Sequence, residues 1–94
     1  MGIHKAGFSV VRRSFLPILR ITGMTKAIPG VKQVLLAIAI KYIDIVEKSN
    51  GNLMEIDEKM ADIPKEMVAV RFHVIFKNES DLEKAILELQ KELG

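Results

Sequence analysis

The chain contains no cysteine. That excludes a disulfide framework, a thiolate metal site and a cysteine nucleophile. Tryptophan is absent as well, and one Tyr and four Phe leave few surfaces on which nucleic-acid bases could stack. Long apolar runs are missing. The longest, from Val34 to Ile40, has seven residues and is closed by Lys41, whereas a membrane-spanning helix needs about 20. Amides are scarce, with five Asn and Gln together against ten Lys, eight Glu and twelve Ile. This bias is shared by hyperthermophile proteins and by proteins of AT-rich genomes. Acids are missing altogether from the first 43 residues.

What is present is apolar. Residues of the hydrophobic classes make up 49% of 94, and mean hydropathy is +0.20. A chain of this length is expected to form one domain across 1–94. Such a domain buries only about 60–65% of the surface its unfolded chain exposes. Apolar residues in excess of that interior predict a further surface to be covered by a second copy or a partner.

Charge is divided unevenly. Residues 1–43 carry Lys5, Arg12, Arg13, Arg20, Lys26, Lys32 and Lys41 and no acid, a balance of +7. Residues 44–94 carry all twelve acids and the other seven bases, a balance of −5. Asymmetry of this kind points to nucleic acid, to an anionic membrane surface, or to charge matching within or between copies. Arg12, Arg13, Arg20, Lys26 and Lys32 are the candidate phosphate contacts. Arg12, Arg13 and Arg20 also interrupt any secretory apolar core, and position 6 is Ala where a myristoylation motif needs Ser or Thr. An Arg-rich, acid-free start is shared by mitochondrial transit peptides. The expected location is cytoplasmic.

Periodicity places the elements. Residues 1–22 form a basic segment with two open readings. Phe8, Val11, Phe15, Ile18 and Leu19 fall on one helical arc beside Lys5, Arg12, Arg13 and Arg20. Pro17 disfavours a continuous helix, and the β-formers around residues 15–22 favour a strand. Ile28-Pro29-Gly30 marks a loop. A helix follows from Val31 to Ser49, with Val31, Val34, Leu35, Ile38, Tyr42, Ile45 and Val46 as its core stripe. Leu36, Ile40 and Ile43 widen that stripe beyond what one sheet can cover. They are the expected interface residues, with Phe8, Val11 and Phe15 as covers.

Leu53–Asp57 reads as a short strand and residues 58–66 as a loop. Met67–Phe76 is the strongest strand, with Val68, Val70, Phe72, Val74 and Phe76 on the core face and Met67, Ala69, Arg71, His73 and Ile75 opposite. Ser80-Asp81-Leu82-Glu83 reads as a capping box that opens a helix running to Leu93. The expected class is α+β, a small two-layer domain with an antiparallel sheet and two main helices on one face. The β-α-β-β-α order resembles a ferredoxin-like half-sandwich that lacks its last strand or regains one from the N-terminus.

Chemistry is thinly represented. Arg71 and His73 share a strand face and are candidates for holding an anion. Glu55, Asp57, Glu58 and Asp62 are candidates for a hard cation, although the EF-hand pattern is absent. Two well-separated His residues give no metal spacing. Lys26 and Lys32 flank a turn before a helix, but neither a P-loop nor GxGxxG is present. No nucleophile–base motif appears, so no catalytic residue, cofactor or metal ligand is expected. The first functional expectation is a non-catalytic interaction module that self-associates or docks in a larger complex. Nucleic-acid binding through the basic half is the alternative. A membrane-surface binder and a small-ligand regulatory domain rank behind them.

Overall fold

The computed structural model describes the backbone of residues 2–5, 7–57 and 61–93 and the side chains of residues 7–54 and 61–92. Glu58 and Met60 lie outside the described residues, as do the side chains of His4, Glu55 and Asp57.

The basic N-terminal segment, open to a helix or a strand in the sequence and favouring a strand around 15–22, forms strands. β1 spans Gly2–Lys5, β2 Phe8–Arg12 and β3 Ile18–Lys26. They are followed by α1 (Val31–Lys48), β4 (Gly51–Asp57), β5 (Met67–Phe76) and α2 (Glu79–Leu93). The sheet is antiparallel, with order β1-β2-β3-β5-β4. From β3 onward the elements follow the anticipated β-α-β-β-α order. The N-terminal hairpin adds two further strands, and β2 pairs with the free side of β3.

Alternation settles the two faces. Phe8 and Val10 on β2, Leu19 and Ile21 on β3, and Val70, Phe72, Val74 and Phe76 on β5 are buried beneath the helices. Leu35, Ala39, Tyr42 and Val46 of α1 meet them, with Leu82, Ala85, Ile86 and Leu89 of α2. The α1 core stripe is therefore rotated from the expected one by about 50°, half of the step between successive residues. Ala39 is buried and Val34 is exposed. A methyl side chain at position 39 lets the helix axis approach the sheet there.

Gly23 is the second small residue that shapes the core. It stands opposite Phe8 across the β2–β3 ladder, and a Cβ on it would lie 2.4 Å from Cζ of the Phe8 ring. The ring occupies that gap and meets Tyr42 edge-on, with centroids 4.9 Å apart and planes at 83°. Phe8 is thus a core residue and is closed to any partner.

The start of α2 also differs in detail from its expected form. The helix begins at Glu79, and the backbone N–H of Asp81 donates to Oδ1 of Asn78 at 2.9 Å. Asn78 is the cap and Ser80 lies inside the first turn. Asn in the cap position satisfies an otherwise orphaned N–H as well as Ser does, so the register of the box slips by two residues. At α1, Gly30 adopts the left-handed conformation with φ 79° and provides no side-chain cap.

Candidate interaction surface

The two flanks of α1 have different surroundings. On one flank, Lys41 pairs with Glu92 of α2 at 2.8 Å, and Ile45 borders a cleft with Lys84 and Glu88. That flank faces α2. The opposite flank overhangs β4, the edge strand that α1 packs against. It carries Lys32, Leu36, Ile40, Ile43 and Glu47, spaced to fall on one side of the helix. Lys32 borders a cleft with Ile63, Pro64 and Met67 beside the same edge.

Leu36 is 40% exposed and Ile40 66% exposed, while Ile43 is half-buried against the core. On the neighbouring edge, Leu53 is 37% exposed. Its register opposite Val74 puts it on the helix side of the sheet. Met54, also exposed, sits at a register shift between Leu53 and Glu55. Helical spacing therefore puts Leu36, Ile40 and Ile43 on one flank, and β4, which α1 packs against, exposes Leu53 and Met54. Neither is among the expected interface residues, because the bulge at Met54 breaks the alternation by which a strand face is read from sequence.

The other expected interface residues do not join this strip. Val11 is half-buried on the open face of the sheet, opposite Arg20. Phe15 stands at the tip of the β2–β3 hairpin, 90% exposed. This tip is held by Arg12, whose register opposite Leu19 directs it toward the helices. Its Nε donates to the Ser14 carbonyl at 2.8 Å and its Nη2 to the Phe15 carbonyl at 2.9 Å, and both terminal nitrogens grip the Glu79 carboxylate. That guanidinium is the first cause holding the Glu79 carboxyl below the usual carboxylate range.

The five candidate phosphate contacts are scattered. Arg12 is engaged by Glu79. Arg13 is exposed in the hairpin loop, Arg20 is half-buried on the open sheet face, and Lys26 and Lys32 are exposed at the far end of β3. β3 has nine residues, so its ends lie about 27 Å apart at roughly 3.4 Å per residue. No single surface collects the five. Two ion pairs, Arg12–Glu79 and Lys41–Glu92, join the basic half of the chain to the acidic half.

Arg71 is equally engaged. Its side chain is 14% exposed. Nε donates to Thr22 Oγ1 at 3.0 Å, and Nη1 and Nη2 donate to the Asp62 carboxylate at 3.3 and 2.9 Å. This hydrogen bond from Arg71 is the main reason the Asp62 carboxyl is held below its ordinary range. The guanidinium of the candidate anion holder thus faces a carboxylate of its own chain, that of Asp62. His73, beside it on β5, is buried. Among the described residues there is no cluster of three or more His, Asp or Glu able to hold a metal ion. Among them also, no helix is long and apolar enough to cross a membrane.

The fold defines the protein as a two-layer α+β domain with a five-stranded antiparallel sheet. No protein-family model, curated protein or solved structure matches the chain.

Proposed function

We propose that this protein is a non-catalytic interaction module that self-associates or docks in a larger complex through the outer flank of α1. The observation that carries this reading is the exposure of Leu36 and Ile40, one turn apart on the same flank of α1. Single exposed apolar residues are ordinary on any domain. A contiguous apolar strip on one helix flank is instead the signature of a surface that meets another protein. The placement of the five candidate phosphate contacts favours this reading over nucleic-acid binding: Arg12 already holds the Glu79 carboxylate, and Arg13 and Lys26 lie at opposite ends of β3.

The test is native mass spectrometry of the purified protein at low salt, with Ile40→Lys and Leu36→Glu alongside. Position 40 faces solvent, so Ile40→Lys is expected to change stability by no more than about 0.5 kcal/mol. The wild type is expected to run as a multimer or protein complex, and the variants as folded monomers. Folded variants with the wild-type mass distribution would refute the assignment. A monomer carrying heterogeneous nucleic acid would replace it with the phosphate-contact alternative.

A further inference from the structure

The outer flank of α1 has an order of charges that selects its partner. Read from N- to C-terminus, it runs Lys32, Leu36, Ile40 with Ile43, then Glu47. Lys32 and Glu47 are both exposed. Lys32 lies eight positions before Ile40 and Glu47 seven after it, so the strip has a basic end, an apolar middle and an acidic end, nearly symmetric about Ile40. Lys65 borders the same cleft as Lys32 and strengthens the basic end. Lys77 borders the cleft at Glu47 and weakens the acidic end without removing the difference in sign.

We infer that the partner is a second copy of this chain, bound with the two α1 helices antiparallel across a two-fold axis near Ile40. This rests on the interaction-module reading and assigns its occupant. A two-fold interface must be complementary to itself. An antiparallel arrangement places Lys32 of each copy against Glu47 of the other and stacks Leu36, Ile40 and Ile43 between them. A parallel arrangement would instead set like charges together at both ends. Antiparallel helices also oppose their macrodipoles favourably.

The sheet edge is not the pairing element. The register shift between Leu53 and Glu55 interrupts the ladder that β4 presents, and such bulges discourage edge-to-edge addition of strands. Leu53 and Met54 are exposed on the strand that α1 packs against, and they would form the apolar margin of the helical contact. α1 has 18 residues, which is about 27 Å of helix. With a contact roughly 10 Å across, the footprint is a few hundred Å² per copy, below the ~800 Å² of a standard interface. The dimer is therefore weak, with a dissociation constant in the micromolar range or above.

Charge reversal tests the arrangement. Sedimentation equilibrium over a wide concentration range would compare the wild type with Lys32→Glu, Glu47→Lys and the double variant. Each single reversal puts like charges at both ends, and is expected to weaken the dimer roughly tenfold at low salt, since two exposed pairs are lost and replaced by repulsion. The double variant is expected to recover wild-type affinity. An equimolar mixture of the two single variants is expected to associate more tightly than either alone. All three substituted sites, Lys32, Ile40 and Glu47, are exposed, and circular dichroism checks that each variant is folded. A dimer that Ile40→Lys abolishes but that ignores the charge reversals would overturn the antiparallel arrangement and leave the interaction-module reading intact. A wild type that stays monomeric at every concentration would overturn the second copy as partner, and the module reading would then stand or fall on a different protein found in the native mass spectrum.

Discussion

The Phe8–Gly23 pair sets a tolerance limit at one residue. The Phe8 ring lies where a side chain at position 23 would stand, and Tyr42 backs the ring from the helix layer. A methyl group at position 23 would have to displace a ring already closed in from the other side. Gly23→Ala is therefore expected to lower stability by about 1–3 kcal/mol through overpacking, measured by urea denaturation. Unchanged stability would mean that the ring has room to move and that the core is looser than its burial implies. Both residues are plain in the sequence, yet neither signals the other. Phe8 alternates with Val10 on one face while Val11 faces the other way, so the strand shows apolar residues on both sides. That blurred alternation is why a basic amphipathic helix competed with a strand in this segment.

At the scale of elements, α2, α1 and β5 were legible because each presents a long run of one period. β1 and β2 were not, since both are short and their existence depends on β3 accepting a partner from across the sheet. The strip on α1 was legible as an excess of apolar residues. Its margin on β4 was not, because the bulge at Met54 removes the period-2 signal. The β2–β3 hairpin shows how one side chain can organise an element. Arg12 binds the carbonyls of Ser14 and Phe15 and links them to the first turn of α2 through Glu79. The Glu79 carboxyl is held below its ordinary value. The stability it contributes is thus present above the unfolded carboxylate range, near pH 4, and is lost as pH falls through the lower folded-state value. Melting temperature followed from neutral to acidic pH is expected to fall more steeply in the wild type than in Glu79→Gln. Parallel profiles would mean that the clamp contributes nothing to stability. In hydrogen exchange, the Leu16 amide, which donates to Ser14 Oγ at 3.1 Å, would lose protection on acidification.

At the scale of the whole molecule, the charge division of the sequence is partly folded away. Arg12–Glu79 and Lys41–Glu92 bring its two halves together, and the remaining candidate bases lie at separate places on the surface. Binding to a short DNA duplex is accordingly expected to be weak, with a log–log salt slope shallower than about −2, as for two or fewer phosphates neutralised at once. Fluorescence anisotropy across a salt series measures it. A slope near −4.5, about −0.9 for each of five bases, would show that they act as one surface and would reinstate the nucleic-acid reading. The sheet order carries a consequence for how the chain is made. β1–β2, β2–β3 and β4–β5 join neighbours in sequence, but every rung between β3 and β5 links residues at least 41 positions apart. During synthesis, the hairpins of β1, β2 and β3 leave the ribosome with Phe8, Val10, Leu19 and Ile21 facing water. α1 emerges next and can cover part of that face, Tyr42 against Phe8, but β5 and α2, which complete the core, come only with the last third of the chain. The nascent chain thus passes through an interval in which its inner sheet face is open to any other chain at hand, which makes elongation rate a determinant of yield.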